Sequence, residues 1–457
     1  MNLEAEQALR TVSDAIRGTP WEGRVWLVGG AVRDDLLGRP SPPDLDVMAE
    51  ADAPGLAEHL YRVGASRLEP VIYARFGTAL VRVEAASIEL ATARKDSYRD
   101  GTRKPDVRPA TLLEDAERRD FTINALLRNL STGELRDPLG TGLADLREGI
   151  LRTPREPAKT FEEDPLRMLR AVRFRSQLGF RYAEGLTDAI RARARDLERI
   201  SAERIRDEFV KILVSDGPDV GLNDLRELGL LERFLPELLD LVGVEQGAYH
   251  HLDVWDHTLL VVKGLARFRD PVLSLAGLFH DVAKPSTRSV DAKGCTHFYE
   301  HERVGAKLAY GILQRLRFSN ETAEKVALLV RHHMRLATVT RFSLPAARRL
   351  VRDLKGETDR YFALIESDLA ALKPGVKPID LAGIRETVEQ VQREDQTGKW
   401  ESPLNGEEIG GLLGWEPGPK IGEAKRWLRE LVLDGRLAPD DRERAAQLLR
   451  ERFTREC

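Results

Sequence analysis

The sequence predicts an α+β protein, a mixed-sheet head with flanking helices followed by an all-helical remainder. Three observations carry this. The strand-like runs "RVWLVGG", "LDVMAE", "FGTALVRVE" and "SIELATAR" all lie in the first 94 residues. Beyond residue 150 strand alternation is sparse, and segments such as "PLRMLRAVRFRSQLGF" and "IRARARDLERISAERIRDEFVKIL" read as helices. At 457 residues the chain is too long for one core, so two to four domains are expected. Composition shifts divide it into residues 1–150, a head; 151–240, a helical neck and body; 241–375, which holds nearly all the histidines; and 376–457, a helical tail after the linker-like "LKPGVKP".

Net charge is −4, so any nucleic-acid site must be a local patch on an otherwise acidic surface. The two cysteines, Cys295 and Cys457, have no paired spacing, which suits a reducing cytoplasm. No signal peptide is read at the N-terminus. No apolar run approaches the roughly 18 residues needed to span a membrane, so no membrane association is expected.

In the head, "WLVGG" reads as a buried strand running into a glycine turn, and "AVRDDLLG" as a short helix stopped near Gly38. Gly29 and Gly30 at a strand-to-helix turn let backbone N–H groups approach a phosphate, and Arg33 adds a charged donor. "DLDVM" then reads as a strand that projects Asp44 and Asp46 from one face. Two neighbouring carboxylates repel unless a cation joins them, and Mg²⁺ is the hard ion that suits carboxylate and phosphate oxygens. A bare DxD also fits an ordinary edge strand. With the glycine turn before it, the pattern points to metal-assisted nucleotidyl transfer.

The stretch "LVGGAVRDDLLGRPSPPDLDV" (27–47) resembles the first motif of the class II tRNA nucleotidyltransferases, which share ancestry with bacterial poly(A) polymerases. "RRDFTINALL" (118–127), "DPLGTGLADLREGILR" (137–152), "EDPLRMLRAVRF" (163–174) and "ISAERIRDEFVKIL" (200–213) are similar to its later motifs, in order. The resemblance covers about the first 215 residues. It implies Asp44 and Asp46 as catalytic Mg²⁺ ligands, CTP and ATP as substrates and tRNA as acceptor, with the protein a monomer or homodimer.

In the fourth motif, Asp164, Arg167, Arg170 and Arg173 are spaced by three, which on a helix places them near one face. A carboxylate accepts hydrogen bonds and a guanidinium donates them. Asp164 with Arg167 therefore complements the Watson–Crick edges of C and A and mismatches those of U and G. Arg118 and Arg119 are expected to contact triphosphate or order their motif, and "FTINAL" reads as a helix. Residues 95–117 read as a mobile loop that, by the resemblance, switches C to A addition. Glu89, on the opposite strand face from Ile88 and Leu90, is a candidate third carboxylate or a partner in a cross-strand salt bridge.

A second constellation follows. "DVWDHTLLVV" holds His257, "LAGLFHDVAKP" holds His280 and Asp281, "FYEHERVGA" holds His301, "LVRHHMRL" holds His332 and His333, and "IESDLAAL" holds Asp368. Imidazole and carboxylate suit a divalent transition metal. The order resembles the HD phosphohydrolase superfamily, which implies His257, His280, Asp281 and Asp368 as metal ligands. His301, His332 and His333 would serve a second metal or phosphate. The tail "GWEPGPKIGEAKRWL" offers Lys420, Lys425, Arg426 and, just beyond, Arg429 to RNA phosphates.

Together these features predict a cytoplasmic, template-independent enzyme adding all or part of CCA to tRNA, with an HD region that is either an additional phosphohydrolase site or structural. Two readings compete: a poly(A) polymerase, and an HD phosphohydrolase with a degenerate RNA-binding head. Intact Asp44, Asp46, Asp164 and Arg167 speak against the degenerate head. The acidic chain and the HD region speak against the poly(A) polymerase.

Overall fold

A mixed sheet of seven strands in the order β3-β4-β5-β2-β1-β8-β9 organises the head. This computed structural model describes residues 3–40, 44–97, 106–247, 251–337, 342–373, 375, 379–395 and 400–453. The chain divides into two units, Met1–Pro236 and Glu237–Cys457.

The sheet strands are β1 (Val25–Val28), β2 (Asp44–Ala49), β3 (Val71–Tyr73), β4 (Thr78–Val83), β5 (Ala86–Thr92), β8 (Leu127–Asn129) and β9 (Leu135–Arg136). β2 and β5 run parallel, and the other pairs are antiparallel. Alternation sets the faces. On β4, Ala79, Val81 and Val83 are buried while Leu80 and Arg82 are exposed. The inward face packs under α1 (Leu3–Ala15) and α3 (Ala53–Arg62), whose Leu56, Ala57 and Leu60 are buried. Between β1 and β2 lies α2 (Gly30–Leu36).

The stretch expected as one loop has structure at both ends. β6 (Arg94–Ser97) pairs antiparallel with β7 (Asp106–Pro109), and α4 (Leu112–Glu117) follows under a capping box of Thr111 and Glu114. The centre of that stretch, 98–105, lies outside the described residues. "FTINAL" is not a helix: Thr122–Asn124 form a single 3₁₀ turn and the chain then enters β8. Isoleucine and threonine favour extended backbone, and sheet pairing to β1 decides the outcome.

α5 (Gly142–Glu148) leads to β10 (Ile150–Leu151), which pairs with β11 (Arg181–Tyr182). The remaining helices of this unit are α6 (Pro157–Glu163), α7 (Leu166–Leu178), α8 (Leu186–Arg193), α9 (Ala202–Leu213) and α10 (Pro218–Glu227). α7 buries Leu166, Met168, Leu169, Val172 and Phe174, and packs on α9 and α10.

The second unit is helical apart from a hairpin of β12 (Arg288–Val290) and β13 (Thr296–Phe298). Its helices are α11 (Val254–Leu265), α12 (Pro271–Phe279), the single turn α13 (Lys284–Thr287), α14 (His301–Arg315), α15 (Asn320–His332), α16 (Leu344–Leu354) and α17 (Thr358–Ala370). Then come α18 (Leu381–Asp395), α19 (Gly406–Leu413), α20 (Pro419–Leu433) and α21 (Arg442–Phe453). Aspartates 253 and 270 cap α11 and α12, fixing the starts of two helices that bracket the histidine cluster. Among the described residues, no helix is long and apolar enough to cross a membrane.

Candidate active site and metal centre

β1 ends at Val28 and is followed by Gly29, which takes φ +71°, a left-handed conformation that disfavours other residues. A Cβ there would lie 3.4 Å from Asp46 Oδ2 and 3.8 Å from Arg119 Nη1. Side chains of two motifs thus approach one turn, where a Cβ would make ordinary van der Waals contact and the positive φ is what calls for glycine. Asp46 is exposed between buried Leu45 and Val47. The backbone of Asp44 opens the same strand, two residues earlier; its side chain lies outside the described set. Glu89 is the register partner of Asp46 across the parallel β2–β5 pair, so the two carboxylates share a face. Partial burial, and then the neighbouring Asp46, raise the Glu89 pKa.

The two arginines before the 3₁₀ turn share a buried partner that spacing alone did not single out. Asp115 accepts from Arg118 Nη2 at 2.6 Å on one oxygen and from Arg119 Nη2 at 2.9 Å on the other. Burial works to raise the Asp115 pKa, but Arg119 and Arg118 bring it below the usual range. The signal was available, since Asp115 stands three and four residues ahead of the arginines on α4.

Arg33 does not point into open space beside the glycines. It is buried, donates to Asn124 Oδ1 at 2.8 Å and to Asp34 at 2.8 Å, and lies over the Phe174 ring. Asp120 accepts from the Phe121 N–H at 2.8 Å, from Asn124 Nδ2 at 3.0 Å and from Arg170 Nε at 2.7 Å. Burial opposes its charge, yet Arg170 and these donors hold its pKa well below the carboxylate range. Arg173 pairs with buried Glu208 at 2.8 Å, and burial brings its pKa down to about 10.

The expectation that Asp164, Arg167, Arg170 and Arg173 ride one helix face needs correction at its first member. Asp164 is extended (φ −143°, ψ 99°), and α7 begins at Leu166, because Pro165 disfavours helical backbone in the residue before it. Asp164 accepts from Arg204 Nη2 at 2.9 Å. Arg167 donates to the Arg118 carbonyl at 2.6 Å. Arg170 and Arg173 are turned to Asp120 and Glu208.

In the second unit, six of the expected ligands converge and one does not. His257 on α11, His280 just after α12 and Asp368 on α17 form one triad; Asp281, His301 and His333 form another. His257 Nε2 is 3.0 Å from Asp368 Oδ1, and His280 Nε2 is 3.3 Å from His257 Nε2. Asp281 serves both groups, with Oδ2 3.1 Å from His280 Nε2 and Oδ1 3.3 Å from His301 Nε2. The Nδ1 atoms of His280, His301 and His333 face the carbonyls of Gly277, Phe298 and Val330 at 2.6–2.8 Å. Those contacts orient each ring and turn Nε2 inward as a ligand atom. Burial opposes charge on His280, but Asp281 outweighs it and raises the pKa; Asp281 itself lies far below its ordinary value. Lys284 Nζ, which spacing did not single out, approaches Asp281 Oδ2 at 2.5 Å and donates to Gln246 at 2.6 Å. His332, at the end of α15, is in neither triad and is half-buried beside the charges of Arg335 and Asp353. The donor set fits one or two divalent transition metals.

In the tail, Trp415 and Trp427 pack edge-on to Phe453 at 5.4 and 5.8 Å, and Arg452 covers Trp427. Lys420, Lys425, Arg426 and Arg429 are exposed along α20.

Residues 25–152 match the poly A polymerase head domain, 179–241 the probable RNA and SrmB-binding site of polymerase A, and 247–370 the HD domain. The chain is 36% identical over 438 residues to the CC-adding tRNA nucleotidyltransferase of Thermus thermophilus, covering 92% of each. It is 36% identical to the A-adding enzyme of Deinococcus radiodurans, over 74% of this chain and 79% of that one. A crystal structure of the Bacillus stearothermophilus CCA-adding enzyme with CTP superposes with TM-score 0.72 at 25% identity, covering 100% of this chain and 99% of that one. At this identity and coverage, the chain belongs to the tRNA nucleotidyltransferase family.

Proposed function

We propose that this chain adds C and A residues, all or part of CCA, to the 3′ end of tRNA from CTP and ATP in the cytoplasm. The observation that carries the reading is the meeting of Gly29, Asp46, Glu89 and Arg119 at the open end of β1. In this reading 1–150 is the catalytic head, 151–240 the base-reading neck and body, 241–375 the HD domain and 376–457 a tRNA-binding tail.

Asp44 and Asp46 would hold Mg²⁺, with Glu89 beside them. The bound cation would make the acceptor hydroxyl a better nucleophile and offset charge on the triphosphate. The peptide groups at Gly29 and Gly30 admit a phosphate closely, and Arg118 and Arg119, fixed by Asp115, face it with charge. Arg33, Arg170 and Arg173 act on the nucleotide indirectly, by holding the 3₁₀ turn and α7 in place around Phe174. Asp164 and Arg167 read the base edge, and an incoming C or A takes the place of Arg204 on Asp164. The acceptor hydroxyl attacks the α-phosphorus, the new phosphodiester forms, and pyrophosphate leaves. The test is incubation of tRNA ending at the discriminator base with CTP, ATP or both. Extension by C and A alone, without U or G, is expected, and a ladder of many A residues would instead mark a poly(A) polymerase.

A second activity is favoured by one specific observation, the place of Asp281 between the two triads, with Oδ2 3.1 Å from His280 Nε2 and Oδ1 3.3 Å from His301 Nε2. We propose that His257, His280, Asp281 and Asp368 hold one divalent transition metal, and that His301 and His333 hold a second through Asp281. The bound metal would supply a water nucleophile for phosphoester hydrolysis.

A further inference from the structure

The outer strands of the head sheet carry an exposed row that begins at the carboxylates. Asp46 on β2, Glu89 on β5, Leu80 on β4 and Val71 on β3 are successive register partners. Leu80 is 40% exposed, Val71 49%, and Tyr73, two residues along the same face, 52%. One row away, exposed Arg82 partners Ser87, which partners Asp44. Arg75, in the turn between β3 and β4, is exposed as well. The other face of these strands is ordinary core, with Ala79, Val81, Ile88 and Leu90 at most 1% exposed. The sheet is therefore two-faced, and its open face joins an apolar, aromatic shelf to the reaction centre.

Contiguous exposed apolar side chains mark a binding surface more often than chance. Three strand spacings separate Val71 from Asp46, about 14 Å. A polymer whose terminal hydroxyl reaches Asp46 must lay its preceding nucleotides nearby. An aromatic platform flanked by guanidiniums is what single-stranded nucleic acids use. A folded partner, or a second copy of this chain, would cover the carboxylates and close the site. We propose that the unpaired 3′-terminal nucleotides of the RNA acceptor lie along this face, with a base stacked on Tyr73, apolar contact from Leu80 and Val71, and phosphate facing Arg82 and Arg75. The proposal rests on the nucleotidyl-transfer reading and adds the path of its acceptor strand.

The experiment measures single C addition to tRNA ending at the discriminator base, for wild type, Tyr73→Ala, Leu80→Ser and Tyr73→Phe. Both sites are exposed, so the fold tolerates the changes. Tyr73→Ala is expected to raise KM for tRNA about tenfold, about 1.4 kcal/mol of lost stacking. Leu80→Ser should raise it about threefold, and Tyr73→Phe, which keeps the ring, should stay within about twofold of wild type. KM for CTP should not move. In wild type, 4-thiouridine placed next to the primer terminus should crosslink within residues 71–82. Unchanged KM for tRNA in both Tyr73→Ala and Leu80→Ser, or crosslinking elsewhere, overturns the path while leaving the transfer reading intact. A change of oligomeric state in Tyr73→Ala by light scattering assigns the face to a second copy and also overturns it. Absence of any incorporation by wild type, with CTP or ATP and with tRNA ending at the discriminator base or in CC, sinks the transfer reading itself.

Discussion

Asp46 stands at the glycine turn that Arg119 also approaches, and its replacement should separate chemistry from binding. Asp46→Asn keeps size but turns one accepting oxygen into a donor and removes a charge that a cation needs. Nucleotide incorporation should fall by about a thousandfold while tRNA binding, followed by fluorescence anisotropy, stays within about threefold. Asp120 tests a different property, since it is buried and held ionised by Arg170. Removing its charge with Asp120→Asn should cost about 3 kcal/mol near pH 7, because Arg170 loses its partner. The folded pKa lies below the unfolded value of about 3.8. Its stabilisation is therefore full above about pH 5 and is lost as acid titrates first the unfolded and then the folded carboxyl. Urea midpoints for the two proteins should be well separated at pH 7 and converge below pH 4. At this scale the sequence revealed chemistry but not direction. The glycine turn at Gly29 was legible because a positive φ calls for glycine. The inward turn of Arg33 was not, because its partners Asn124 and Phe174 lie far along the chain.

Local elements show where periodicity succeeds and where pairing overrides it. β1, β2, β4 and β5 were readable as strands because a half-buried sheet enforces alternation. "FTINAL" misled because its apolar spacing suits a helix, while β8 must pair with β1 and leaves room for one 3₁₀ turn. That turn is locked by α5. Thr122 Oγ1 donates to Asp145 at 2.7 Å, and Gly142 comes so close that a Cβ there would sit 2.6 Å from the Thr122 carbonyl oxygen. Gly142→Ala should thus force the turn and α5 apart at a cost of about 1–3 kcal/mol. Thermal melting should show the loss. Transfer activity should fall with it, because the same turn carries Asn124, which positions both Arg33 and Asp120.

At the scale of the whole molecule, the carboxylate site and the histidine cluster lie in different units. The division into a sheet-bearing head and a helical remainder was legible from the distribution of strand-like runs. The sharing of Asp281 between two triads was not, because it depends on how five helical segments converge. Metal bound at that cluster stabilises only the folded unit. Metal analysis of the purified chain should find one or two transition-metal ions. Replacing both His280 and Asp281 with Ala should remove them, lower the melting temperature of that unit and abolish hydrolysis of phosphodiesters. Nucleotide addition should persist within about twofold if the two sites are chemically separate. A metal-free wild type would make the cluster a structural one.

The parallel pairing of β2 with β5 also has a kinetic side. Glu89 reaches Asp46 only after the chain has passed through α3, β3 and β4 and returned alongside β2. Such a crossover pays loop-closure entropy before any contact repays it, whereas helices form from near neighbours. On dilution from denaturant, far-ultraviolet ellipticity should therefore recover early and the capacity to extend tRNA should lag behind it. During that interval a freshly made chain is largely helical yet catalytically silent, with its sheet edges open to wrong partners.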